Sequence, residues 1–116
     1  MSARRSERFR IHDMLQAIER VTVLLQDVGL EQYRSEWILK LAAERSLEII
    51  SEASRHLSQP LKDSEPEIPW RRIADLGNVI RHAYDKVEDE FLYLTVQHQL
   101  FPLAEALRRI LAKLDA

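Results

Sequence analysis

The stretch that decides the fold is residues 32–57, QYRSEWILKLAAERSLEIISEASRHL. Its apolar residues recur at intervals of three and four, the spacing that places side chains on one face of an α-helix. We predict one long helix here, with an apolar stripe of Trp37, Leu41, Ile49, Ala53 and Leu57. The same spacing continues through almost the whole chain, which contains only two glycines and four prolines. The sequence therefore predicts an all-α fold.

The N-terminal flank of this segment predicts another helix, over residues 10–28. Its stripe contains Ile11, Leu15, Ile18, either Val21 or Thr22, and Leu25. Gly29 is expected to end the helix by permitting a left-handed turn. These two helices form the first half of the predicted bundle.

The C-terminal flank begins with a loop over residues 58–69, which contain three of the four prolines. Pro69 suits the first turn of a third helix, and Gly77 in its middle suggests either close approach of another helix or a local bend. A last helix is predicted to reach about Leu114, kinked or divided at Pro102. The result is one domain over residues 1–116, an antiparallel bundle of four to five helices.

The composition sets limits on function. The 116 residues are 46% apolar and 31% charged, the balance of a folded protein. No stretch approaches the roughly 18 apolar residues that span a bilayer, so no membrane association is expected and the default location is the cytoplasm. The net charge of -2 gives no global field that would attract nucleic acid, so any such contact must be local.

Residue types also limit the chemistry. The chain has no cysteine, and its four histidines are scattered, so neither a thiolate nucleophile nor a recognisable metal motif is present in the sequence. We expect no metal site and no cofactor. His12, His56 and His98 are interpreted as surface or helix-end residues.

Residues 78–84, NVIRHAY, are where the sequence proposes chemistry. A histidine such as His82 can exchange a proton near neutral pH, and Arg81 carries a planar charge suited to phosphate. Tyr84 adds a hydroxyl close by. The set suits cleavage of a phosphodiester without a metal, although the same residues are also common at surfaces and interfaces.

A second polar group lies in the long central helix. Arg45, Glu48 and Glu52 are spaced three and four residues apart and share one strip of the helix surface. They are either a surface ladder of ion pairs or an inward-facing cluster that lines a cleft, and the spacing leaves both open.

The order of four local patterns resembles the HepT-like family of HEPN domains, over about residues 10–114. These are DMLQAIER at 13–20, RSLEIISEA at 45–53, PEIPWRRI at 66–73 and HAY at 82–84. The resemblance implies a symmetric homodimer of all-α bundles whose motif helices face each other across a shared cleft. It also implies a metal-independent ribonuclease that is the toxin of a toxin–antitoxin pair. The implied antitoxin is a nucleotidyltransferase similar to MntA, which adds AMP to the motif tyrosine.

Carried over onto this sequence, the family motif assigns the histidine to His82, the polar residue to Asn78 and the modified tyrosine to Tyr84. The motif arginine, expected five residues before the histidine, is replaced by Gly77. The absent side chain at Gly77 leaves room for Arg81, Arg45 or an arginine of the second protomer to reach a phosphate.

Two functions therefore remain open at this point. One is an active ribonuclease with a relocated arginine, and the other is a catalytically degenerate dimer that binds the nucleotidyltransferase. Dimerisation is further predicted from three aromatic residues that look exposed in the sequence, Tyr33, Trp37 and Tyr93.

Overall fold

The computed structural model describes residues 3–82 and 86–116, and all regular structure in these two ranges is helical, which confirms the all-α prediction. No helix in these ranges is both long and apolar enough to cross a membrane. The described helices are α1 Ala3–Leu24, α2 Leu30–Ser35, α3 Trp37–Arg55, α4 Gln59–Asp63, α5 Trp70–Arg81, α6 Lys86–His98 and α7 Leu100–Asp115.

Helix α3 lies at the centre of the bundle. It packs against α1, α2 and α5, while α7 packs against α1 and α6. The N-terminal end of α1 meets the C-terminal ends of its neighbours, because Glu7 accepts a hydrogen bond from the Ser58 N–H at 2.8 Å and Arg8 pairs with Asp115 at 2.7 Å. Helix α1 is therefore antiparallel to both α3 and α7.

The apolar stripe predicted for the first helix is confirmed: Ile11, Ile18, Val21 and Leu25 are buried. The predicted stop is wrong in detail. Gly29 is extended, with φ -83° and ψ 167°, and the left-handed residue is Asp27 with φ 63°. Aspartate tolerates this conformation better than most residues with a side chain, so the turn does not require the glycine.

The single helix predicted over residues 32–57 is wrong, because the chain is extended at Glu36, with φ -106° and ψ 96°. The break separates α2 from α3 and gives the two helices independent orientations. As a result Tyr33 of α2 is fully buried, with its ring centroid 5.6 Å from that of Tyr93 on α6.

The buried face of α3 also differs from the predicted stripe. Ala53 is buried as expected, but Trp37 and Leu41 are 67% and 54% exposed. The core is instead formed by Ala43, Leu47 and Ile50, together with the small polar residues Ser51 and Ser54. The periodicity of the segment was therefore correct, and the assignment of its N-terminal half to the core was not.

The prediction that three aromatic residues are exposed holds only for Trp37. Tyr33 is buried, and the hydroxyl of the half-buried Tyr93 donates a hydrogen bond to the Val28 carbonyl at 2.6 Å. Burial, together with the carboxylates of Glu44 and Asp89, raises the pKa of Tyr33. The two tyrosines fasten α6 to the α1–α2 connection and offer no surface for a partner.

The proline-rich loop contains the short helix α4, and it is anchored at both ends. The Trp70 Nε1–H donates to the carbonyls of Lys62 and Glu65, both at 3.1 Å. The Glu65 carboxylate accepts hydrogen bonds from Arg109 of α7, the shortest at 2.7 Å, and this contact lowers the pKa of Glu65. The loop is therefore held against the bundle.

The last predicted helix is divided, as anticipated, into α6 and α7. The division is at Gln99, and Pro102 lies in the first turn of α7. A proline in the first turn of a helix loses no hydrogen bond, because the N–H groups there have no intrahelical partner.

Candidate functional site

Helix α5 carries an exposed polar face that ends at the motif. Arg71, Asn78 and His82 are spaced by seven and four residues and share this face, with Arg81 beside them. All four residues are exposed. Among residues 3–82 and 86–116, no carboxylate lies within ion-pair distance of Arg71 or Arg81, so both retain their charge for a ligand.

Gly77 lies on the side of α5 that faces α3, and it is buried. A Cβ placed on this residue would lie 3.5 Å from the Ser51 Oγ and 3.9 Å from the Arg81 Nη1. The Arg81 side chain therefore folds back by one helical turn across the glycine. Its Nη1 lies within van der Waals distance of the place where a side chain at position 77 would begin.

The close approach of α3 and α5 predicted from Gly77 is confirmed by the hydrogen bonds around it. The buried Ser51 hydroxyl donates to the Ala74 carbonyl at 2.9 Å and accepts from the Gly77 N–H at 3.1 Å. The same carbonyl accepts from Nε and Nη2 of Arg55, at 3.0 and 2.7 Å. Two side chains of α3 thus hold the middle of the motif helix.

Sequence reasoning missed Ser51 and Arg55. They are four residues apart, which places both on one face of α3, and a glycine in the middle of the next long helix was the available hint that this face approaches backbone closely. The partners are about twenty residues away along the chain, so no local pattern identifies the contact.

The direction of α3 relative to α5 shows where an apolar patch of α3 lies relative to the motif. Arg55 lies opposite Ala74 and Ser51 opposite Gly77, so the two helices are antiparallel. Moving toward the N-terminus of α3 therefore leads toward the His82 end of α5. Past this end, on the N-terminal part of α3, Trp37, Ile38 and Leu41 are 67%, 64% and 54% exposed; we call these three residues the α3 patch.

Arg45, Glu48 and Glu52 form surface ion pairs within the single chain. Arg45 contacts Glu48 at 2.6 Å, and Glu52 contacts His56 at 3.2 Å. Their side chains are exposed or half-buried, as the surface-ladder interpretation expects. All three lie along α3 between the α3 patch and Arg55.

The acidic residues that open α6 are paired with basic residues of α2 and α3. Asp89, which is buried, contacts the Lys40 Nζ at 3.0 Å, and Glu90 contacts Arg34 at 3.6 Å. Burial raises the pKa of the neighbouring Glu44, partly opposed by Lys40. These contacts join the start of α6 to α2 and α3.

The remaining sequence predictions concern Tyr84, a metal site and the three other histidines. Tyr84, predicted to be the modified tyrosine, lies outside the described residues. In the part of the chain that the structure does describe, no three His, Asp or Glu side chains are grouped so that they could hold a metal ion. His12, His56 and His98 are exposed, as the sequence predicted.

The fold and the motif helix agree with what a family comparison finds. The profile of the ribonuclease HepT-like family matches residues 14–110, which include α3, α5 and the His82 motif. The chain belongs to this family, and the recognition made from its sequence patterns is confirmed.

Curated relatives support the assignment. The chain is 32% identical to the "Probable ribonuclease HepT" of Thermococcus cleftensis, over 84% of this chain and 88% of the relative. It is 27% identical to a provisionally named RNase of Methanocaldococcus jannaschii, over 78% and 83% of the two chains. A provisionally named RNase of Caldanaerobacter subterraneus subsp. tengcongensis is 26% identical, over 89% and 92%. No solved structure gives a significant match.

The packing around Gly77 has a testable consequence. Replacing Gly77 by alanine adds a Cβ that makes only ordinary van der Waals contacts, at 3.5 and 3.9 Å. Alanine is favoured over glycine inside a helix by up to about 1 kcal/mol. We therefore expect Gly77→Ala to raise the free energy of unfolding by about 0.5–1 kcal/mol in urea denaturation. A lower free energy of unfolding would show that α3 and α5 pack too closely for a methyl group.

Proposed function

We propose that this protein is a metal-independent endoribonuclease in which His82 and Arg81 act on the scissile phosphate of RNA. One observation carries the proposal: the Arg81 guanidinium folds across Gly77, where the family has its motif arginine, and no described carboxylate pairs with it. An exposed guanidinium beside an exposed histidine is a suitable pair for phosphate chemistry.

In this mechanism the ribose 2′-hydroxyl attacks the adjacent phosphorus while His82 accepts its proton. The leaving 5′-oxygen takes up a proton, and the strand is cut with a 2′,3′-cyclic phosphate on one end. Arg81 stabilises the additional negative charge of the phosphorane. Asn78, one turn before His82 on the same face, is placed to hydrogen-bond the substrate beside it.

We further propose that the active form is a symmetric homodimer. The α3 patch would be costly to leave in water, and it lies on the part of α3 that extends past the end of α5 carrying His82. Pairing two copies through this patch brings two His82 residues to one cleft, bordered by Arg45, Glu48 and Glu52, so that one histidine can act as base and the other as acid. A monomeric mass in solution at micromolar concentration would contradict this arrangement.

The biological role that fits this proposal is that of a cytoplasmic toxin of the HepT type. Its antitoxin would be a nucleotidyltransferase similar to MntA, which transfers AMP to Tyr84. The tyrosine is two residues after His82 in the sequence. An added nucleotide at this position would compete with RNA for the same cleft.

A second candidate function is supported by Gly77 itself. A degenerate member of the family would keep the fold and the nucleotidyltransferase partner but lose the nuclease activity. Loss of the motif arginine is the change that such a member would show. Such a protein would present Tyr84 for modification without cutting RNA.

The experiment that separates the two is cleavage of an end-labelled RNA by the purified protein in the presence of EDTA. We expect cleavage to persist and the new ends to carry 2′,3′-cyclic phosphate, detected by their resistance to ligation until treated with a cyclic phosphodiesterase and a phosphatase. Absence of cleavage by a folded dimer, with and without added Mg²⁺, would refute the nuclease proposal. It would favour the second candidate, a degenerate dimer that binds the nucleotidyltransferase.

A further inference from the structure

Arg55 differs from most surface arginines in that its orientation is fixed by backbone. It is exposed at the C-terminal end of α3, and its Nε and Nη2 both donate to the Ala74 carbonyl of α5, at 3.0 and 2.7 Å. A guanidinium has five N–H donors in a rigid plane. Two of these donors bind the Ala74 carbonyl, which holds the plane of the guanidinium against α5. The remaining donors are available to a ligand.

The charge of Arg55 is also uncompensated. Among the residues that the structure describes, none of the ion pairs involves Arg55, whereas Arg109 is bound by Glu65 and Arg45 by Glu48. A backbone carbonyl orients an arginine without neutralising it. The arrangement therefore preserves the full positive charge in a fixed direction, which lowers the entropy lost when an anion binds.

Arg55 contacts α5 on the side of the helix that also carries Arg81. Ala74 and Arg81 are seven residues apart, so they lie on the same side of α5, and Ala74 is about 12 Å from His82 along the axis at about 1.5 Å per residue. The exposed Arg71 is less than one turn from Ala74. Asp75, the nearest acid in sequence, points about 100° further round the helix and away from α3.

We propose that Arg55 forms a phosphate-binding subsite for the RNA strand, outside the position of the scissile phosphate. A strand whose phosphate lies at Arg81 and His82 would continue along the α3 side of α5 and place a phosphate further along the strand at Arg55. This inference rests on the proposed function only in taking RNA as the ligand, because RNA binding and RNA cleavage are measured separately.

The test measures binding of a fluorescently labelled single-stranded RNA by anisotropy, with His82→Ala as the parent protein so that no turnover occurs. Arg55→Ala is expected to weaken binding about tenfold, the effect of one charge-assisted contact to phosphate. It should also reduce the slope of log Kd against log salt concentration by about 0.7, the value for one phosphate contact to a single strand. Arg55→Lys keeps the charge and loses the two-donor anchor, so its slope should stay close to that of the parent.

Two controls separate a subsite from a structural support. Ser51→Ala removes the other side-chain hydrogen bond to the Ala74 carbonyl without changing charge, and it should lower thermal stability while leaving the salt slope unchanged. Arg20→Ala removes an exposed arginine from α1 and should weaken binding less than twofold.

The possible outcomes distinguish this inference from the nuclease proposal. Binding that depends on Arg55, with the salt slope changed, supports the subsite even where the wild-type protein does not cleave RNA. Cleavage by the wild-type protein with Arg55→Ala binding as tightly as Arg20→Ala overturns the subsite and leaves the nuclease. A loss in Arg55→Ala that Ser51→Ala reproduces, with no change of slope, also overturns it, because Arg55 would then only support α5.

Discussion

Replacement of His82 by alanine is expected to lower the rate of RNA cleavage by about 10²- to 10⁴-fold, the range that a positioned general acid or base contributes. His82 ends α5 and is exposed, so the substitution removes a proton acceptor without opening a cavity in the core. Single-turnover cleavage with enzyme in excess measures the chemical step directly. The midpoint of thermal unfolding should change little, since His82 is an exposed residue at the C-terminal end of α5.

The matched control for this measurement is His12→Ala. His12 is also exposed, but it lies on α1. The His12→Ala variant should therefore cleave RNA at the wild-type rate. Equal rates for His82→Ala and the wild-type protein would remove His82 from the mechanism. A lower rate for His12→Ala as well would indicate that the assay reports stability or a contaminating nuclease.

The all-α fold was predictable because helical periodicity is a local property. Stripes such as Ile11, Ile18 and Val21 repeat over several turns and reach the core as the spacing requires. The break at Glu36 was not predictable, because neither glycine nor proline marks it. It follows instead from the burial of Tyr33 against Tyr93, a contact between residues sixty positions apart.

In the candidate site too, some features are indicated by the local sequence and others depend on contacts between residues far apart in the chain. Gly77 indicated a close helix approach because a glycine inside a helix costs free energy unless packing requires it. The direction of the Arg81 side chain could not be read from the sequence, since neighbours on a helix point about 100° apart and only the rotamer decides where the guanidinium lies. The anchor formed by Ser51 and Arg55 depends on how α3 and α5 face each other, which no local pattern specifies.

Replacement of Arg81 by alanine is expected to lower kcat for RNA cleavage by about 10²- to 10³-fold, as for the loss of one group that stabilises charge in the transition state. The effect should fall on kcat more than on KM, because the phosphorane carries one more negative charge than the substrate. Arg81→Lys should recover only part of the rate, since an ammonium lacks the planar two-donor geometry. Arg20→Ala, the exposed arginine of α1, is the control for removal of a positive charge.

The double variant Gly77→Arg with Arg81→Ala tests whether the arginine has moved along the helix. A Cβ at position 77 would lie 3.9 Å from the Arg81 Nη1 and 3.5 Å from the Ser51 Oγ. An arginine that begins there should restore part of the kcat lost in Arg81→Ala, because in the family the guanidinium is supplied from this position. If Arg81→Ala keeps the wild-type kcat while His82→Ala is inactive, the charge must come from another residue. Arg45 or an arginine of a second protomer would then be the next to replace.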